Sequence, residues 1–167
     1  RRLHRRRVLH SDIAPGVMMN TPQLDHPLTG PFWEAAARQE LQVTWCGRCN
    51  HAVWYPRANC PDCGDPLHWR ALSGEGLLAS WCEVAAGLNP NFPTAYTCAL
   101  VSPVEAPHIR IVMQLANSPA KKALRCDMPG RVRFIPLQQA AGEPYLAPAF
   151  EPYHDADTAC DKQLAPG

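Results

Sequence analysis

Apolar positions recur along this chain with a period near two far more often than with a helical period. From Arg131 the order R-V-R-F-I-P-L alternates polar and apolar residues, as a half-buried strand does. Tyr96 to Val101 and His108 to Leu115 are two further β-rich runs, and the proline-rich stretch Pro103 to Pro107 between them predicts a turn that pairs them. Leu67 to Ala86 reads as one long strand interrupted at Ser73-Gly74-Glu75-Gly76, where closely spaced glycines predict a bulge or sharp coil of the kind that bends the first strand of a small barrel. Asp127 to Gly130 predicts a turn, and a last one at Gly142-Glu143 precedes a strand at Tyr145-Leu146. Five strands with a strongly bent first one predict an OB-type barrel.

Only one segment has helical character. In T-G-P-F-W-E-A-A-A-R-Q-E-L, Gly30 is tolerated as cap, Pro31 suits the first helical position and Glu34 sits near the positive end. A short helix is expected through about Glu40, with Phe32, Ala35, Ala36 and Trp33 on its apolar face. So short an element is not stable alone and must dock, on its own domain or on another protein.

Between helix and barrel lies W-C-G-R-C-N-H-A-V-W-Y-P-R-A-N-C-P-D-C-G, from Trp45 to Gly64. Its two Cys-x-x-Cys pairs, Cys46/Cys49 and Cys60/Cys63, have metal-knuckle spacing, and folding the intervening hairpin brings four thiolates around one tetrahedral ion. Zinc is expected, in a closed structural site with no open position for water. Iron and a pair of disulfides are the competing readings. Leu41 to Trp45 and Val53 to Tyr55 supply the flanking strands, and metal binding supplies the folding free energy of so small a unit, on the order of 10 kcal/mol. Trp45, Trp54, Tyr55 and Trp69 are expected to cover the ribbon and join it to the barrel. His51 and His68 read as neighbours of the metal shell or as surface residues, since four cysteines complete it.

Composition narrows the classes. The 167 residues carry a net charge of +1, which argues for neither a nucleic-acid nor a membrane partner. No apolar run approaches the roughly 20 residues that cross a bilayer, and the start lacks the apolar core of a secretory signal. A soluble, cytoplasmic protein is expected. Eighteen prolines and scarce helical periodicity favour a mainly β body. Cys82 and Cys98 lie in apolar runs and are expected as core filler. The expected layout is a disordered basic arm over 1–28, helix and ribbon over 29–68, the barrel over 69–152 and a flexible tail over 153–167. Met18 and Met19 offer alternative starts, so the first 17 residues are assigned no function.

The ordered set of motifs resembles a known family. A P-F-W-E helix, a C-x-x-C/C-P-x-C ribbon containing Y-P-R, a W-x-x-x-S-G-x-G strand and an M-P-G-R-V-R-F strand are similar to the acyl-CoA-associated zinc-ribbon/OB-fold family, or domain of unknown function 35, over roughly Pro31 to Pro152. The resemblance implies a mainly β fold: an N-terminal helix, a rubredoxin-like zinc ribbon and a five-stranded OB-fold barrel. It also implies a small subunit that partners a thiolase-superfamily enzyme, itself without catalysis, at the acyl-CoA entrance of a thiolase, aldolase or acyltransferase complex. Carried over by position, Cys46, Cys49, Cys60 and Cys63 match the ribbon ligands, and Arg57 in Tyr55-Pro56-Arg57 stands where a guanidinium could meet CoA phosphate or simply support the ribbon turn. Lys121 and Lys122 could also attract phosphate, or be solvated. Two departures stand out: Pro129-Gly130 ahead of the last motif strand, and the missing acidic-glycine hairpin at Ser102 to Pro107. The main rival is an OB-fold single-stranded nucleic-acid binder with a zinc ribbon, for which Trp81 would be the stacking aromatic. A free-standing electron carrier is a second.

Overall fold

The computed structural model describes residues 22–88, 94–117, 124–137 and 144–153. The predicted basic run at the start, the Lys121/Lys122 pair, the Gly142-Glu143 turn and the tail past Tyr153 lie outside them.

The expected helix is present as α1, Gly30–Ala37. Thr29 rather than Gly30 is the cap residue, Pro31 sits in the first turn, and the helix stops short of Glu40 because Gln39 turns into the left-handed region at φ 62°. Phe32, Ala35 and Ala36 are buried. The helix packs on strands of its own chain, so the docking it needs is internal.

Two sheets follow. The first is formed by β1 (Gln42–Cys46), β2 (His51–Val53) and β3 (His68–Ala71), antiparallel in the order β2-β1-β3. The second is a closed barrel of β4 (Glu75–Val84), β5 (Tyr96–Pro103), β6 (Ile111–Leu115), β7 (Met128–Leu137) and β8 (Tyr145–Pro152), in the order β4-β5-β6-β8-β7. β7 closes on β4, and β6 with β8 is the one parallel pairing between named strands. The chain is thus mainly β, with a short N-terminal helix, a ribbon and a five-stranded OB-fold barrel, as the sequence led us to expect. Among the described residues no helix is long and apolar enough to cross a membrane.

Three local expectations change. The interruption at Ser73 to Gly76 does not bend one strand: the pieces on either side belong to different sheets, β3 pairing with β1 and β4 with β5 and β7. Gly74, at φ 86°, makes the crossing, and its carbonyl accepts the Val132 N–H at 2.8 Å. The register shift on β4 falls instead between Leu78 and Ser80. The turn expected at Asp127 to Gly130 is mostly strand, since Met128, Pro129 and Gly130 pair with β4 and Gly130 also with Pro152. Gly130 is there because a Cβ would overlap the Glu151 carbonyl oxygen and come within 2.7 Å of the Phe150 ring. Finally, Cys82 is exposed and Cys98 half-buried, so neither fills the core.

The core is continuous from ribbon to barrel. Phe32, Leu41, Val43, Trp45 and Ala52 belong to the same apolar cluster as Leu78, Ala99, Val101, Ile111, Met113, Met128 and Phe150. A polar contact adds to the join: His108, ahead of β6, has Nε2 at 2.9 Å from the Ala52 carbonyl oxygen of β2. That carbonyl can only accept, so His108 carries its proton on Nε2.

Candidate functional site

The first candidate is the cysteine cluster. β1 delivers Cys46, the turn after it Cys49, and a second turn Cys60 and Cys63. All four sulfurs lie within 4.8 Å of one another. Cys46 and Cys63 are 3.5 Å apart, close to the ~3.8 Å edge of a tetrahedron with ~2.3 Å metal–sulfur bonds. In the first turn the Cys49 N–H donates to the Cys46 sulfur at 3.3 Å. In the second, the Cys60 N–H donates to the Asp65 carbonyl at 2.8 Å, the Gly64 N–H to the Cys60 carbonyl at 3.0 Å, and the Asn59 amide to the Gly64 carbonyl at 2.9 Å.

The protonation chemistry of the cluster asks for a cation. The Cys49 N–H, helped by the other thiols, lowers Cys46 to about 7, while the Cys63 side chain and burial push Cys49 up to about 12. Four thiolates this close repel one another, so they ionise together only around a positive charge. The donor set, the spacing and the buried sulfurs of Cys46 and Cys60 fit a zinc ion of the structural type.

His51 and Asp62 stand beside the cluster: His51 Nε2 lies 3.3 Å from Asp62 and 4.0 Å from the Cys60 sulfur. Its ring meets His108 edge-on at 5.9 Å. His68 joins no such group among the described residues.

The second candidate was not legible in the sequence. A cavity of about 330 Å³ opens where α1, the segment Trp54-Tyr55-Pro56 and the barrel meet. Phe32, Trp33, Trp54, Ile111, Met113 and Leu137 line it, together with Thr29, Tyr96, Cys98 and Gln114. Among the described residues, no histidine, carboxylate, lysine or arginine is in its wall. Trp33 stacks edge-on with Phe32 at 5.1 Å and with Tyr145 at 5.5 Å, which ties the helix to β8. Pro56 is buried in this wall, Tyr55 is largely exposed at 67%, and Arg57 next to them is exposed. The first cysteine pair thus sits at the turn end of the β1–β2 hairpin, and the cavity begins at the segment that leaves β2, with Arg57 just beyond it.

The proline-rich connection after β5 is closed by Arg110, whose Nη1 donates to the Pro107 carbonyl at 2.6 Å and to Ser102 Oγ at 3.0 Å. Prolines cannot donate, so side chains take over the work of a hairpin N–H. Trp81 is half-buried and packs against the core cluster.

A four-cysteine ribbon joined to a closed OB barrel through a common core defines the class: a zinc-ribbon/OB-fold protein. Residues 33–68 match the family described as ChsH2, rubredoxin-like zinc ribbon domain. Among solved structures, one described as the Ltp2-ChsH2(DUF35) aldolase is similar, with TM-score 0.67 and 23% identity, over 79% of this chain and 98% of that one. A DUF35-family protein of unknown function from Sulfolobus solfataricus gives TM-score 0.49 and 11% identity, over 76% and 86% of the two chains. No curated protein matches. The likeness read from the motifs is met again in both the ribbon family and the fold.

Proposed function

We propose that this chain is a non-catalytic accessory subunit that docks on a thiolase-like enzyme and helps hold the acyl-CoA thioester while a carbon–carbon bond is cleaved or formed. The observation that carries the reading is the apolar cavity at the joint of helix, ribbon and barrel. Its size suits a hydrocarbon chain or pantetheine arm, and among the described residues its wall has no histidine, carboxylate or lysine to pair with a nucleophile and act on a thioester. The reacting groups would then belong to the partner. The solved structure to which this fold is similar joins the names Ltp2 and ChsH2 and is described as an aldolase, which favours a ribbon-and-barrel protein working beside a second one.

In this proposal the thiolates of Cys46, Cys49, Cys60 and Cys63 hold zinc, which supplies rigidity rather than an activated water. The connection between β2 and the second cysteine pair, stiffened in this way, presents Pro56 to the cavity and Arg57 to solvent, and Arg57 is the guanidinium assigned to CoA phosphate. The alternative of single-strand nucleic-acid binding would need a basic groove beside Trp81, and a chain of net charge +1 with Trp81 half-buried against the core gives it little to build on.

The decisive experiment is co-expression with a candidate thiolase-like partner, followed by co-purification and assay of CoA-ester cleavage or condensation. A stable complex with activity that the partner lacks alone is expected. Equal activity of the partner with and without this chain would overturn the proposal. Within the complex, Arg57→Ala should weaken the apparent affinity for CoA thioesters several-fold and leave thioesters truncated before the phosphates unaffected. Equal loss for both substrates removes Arg57 from the phosphate role.

A further inference from the structure

One pair of cysteines lies outside the metal centre. Cys82 on β4 and Cys98 on β5 are directly opposite each other in antiparallel register. Their neighbours Trp81 and Ala99 form the adjacent pair, and these point inward: Ala99 is fully buried and Trp81 packs on the core. Strand alternation therefore puts both sulfurs on the outer face, with Cys82 exposed, Cys98 half-buried, and both free thiols.

Directly opposed residues of an antiparallel pair have Cα atoms about 4.5–5.5 Å apart. A disulfide bridges Cα separations of about 4.4–6.8 Å, so the backbone need not move to admit one. The side chains already interact: burial is the first cause that raises the Cys98 thiol, and the neighbouring Cys82 sulfur is the next. Cys98 also lines the apolar cavity, so its bonding state changes a wall of that cavity.

We propose that Cys82 and Cys98 form a reversible dithiol–disulfide site on the outside of the barrel, oxidised by small-molecule disulfides such as glutathione disulfide. Cys82, the more accessible, reacts first. Its thiolate attacks one sulfur of glutathione disulfide, forming a mixed disulfide and releasing one glutathione thiolate. The Cys98 thiolate then attacks the Cys82 sulfur, forming the Cys82–Cys98 bond and releasing the second glutathione. Two cysteine thiols lose two electrons, one glutathione disulfide gains them, and the two cysteine protons end on two glutathione thiols. The four ribbon cysteines stay out of the exchange while metal holds them.

The test uses the full chain loaded with zinc, equilibrated across graded ratios of oxidised to reduced glutathione and quenched with a thiol-alkylating reagent. Trypsin leaves both cysteines in one peptide, because no lysine or arginine stands between Arg70 and Arg110, and a second cleavage after glutamate separates 76–83 from 84–105. The expected result is a cross-linked pair of these peptides, with loss of two alkylation sites, reversal by dithiothreitol and unchanged zinc content. In Cys98→Ser the same treatment should instead leave a glutathione adduct on Cys82. The proposal fails if the unaltered chain shows only a stable adduct on Cys82, if cross-links form only through the ribbon cysteines or the chain's two other cysteines, Cys126 and Cys160, or if neither thiol reacts across the range.

Discussion

At the scale of single residues, side-chain size and charge decide outcomes that no element boundary records. Gly130 is the clearest case. Adding a methyl group drives it into the Glu151 carbonyl and places it 2.8 Å from Pro152 Cα, both rigid backbone atoms. Gly130→Ala should therefore cost about 1–3 kcal/mol in a urea titration, where a change near zero would show that β7 and β8 can part without penalty. Glu151 offers a pH-dependent test on the same strand. It accepts hydrogen bonds from Asn117 at 2.8 Å, from Arg133 at 2.7 Å and from Arg131 at 3.2 Å. Asn117 foremost, then Arg133 and Arg131, hold its carboxyl down from an ordinary 4.5 to about 2. A folded carboxyl that titrates below its unfolded value adds stability that is complete above about pH 4.5 and disappears as the pH falls towards 2. Carbon-detected NMR titration should place the Glu151 midpoint near 2, and Asn117→Ala should raise it. A midpoint unmoved by that substitution would contradict the assigned cause.

At the scale of elements, α1 is held by what it touches rather than by its own propensity. It has no side-chain cap, and its first turn contains a glycine and a proline. Phe32 is its anchor: buried, against Trp33, and 5.5 Å from the Trp54 ring of the ribbon. Phe32→Ala should cost about 3–5 kcal/mol and enlarge the apolar cavity that Phe32 lines. The readouts are the denaturation midpoint and the binding of an apolar fluorescent dye, and both should move. The ribbon's attachment through His108 is a smaller effect. Removing the Nε2–H bond to Ala52 in His108→Ala should lower stability by about 1 kcal/mol while leaving metal content intact, which separates a joining role from a ligand role.

At the scale of the whole molecule, ribbon and barrel share one apolar cluster, so they should not melt independently. Stripping the metal with a chelator is expected to lower a single calorimetric transition, and substituting Cys60→Ser to do the same. Two separated transitions would show that the barrel does not depend on the ribbon. The sequence by itself determined the metal-binding residue types and their spacing, the alternating strands, the single short helix and the class of fold. Those properties are written in local periodicity and in knuckle chemistry, which need no distant residue. Only the tertiary structure decided that Ser73 to Gly76 separates two sheets, that Gly130 lies inside a strand, that Cys82 faces Cys98, and that Phe32, Trp54 and Leu137 enclose one cavity. Each of those depends on which strands become neighbours, and strand pairing is set by the burial of a common core over long sequence separations.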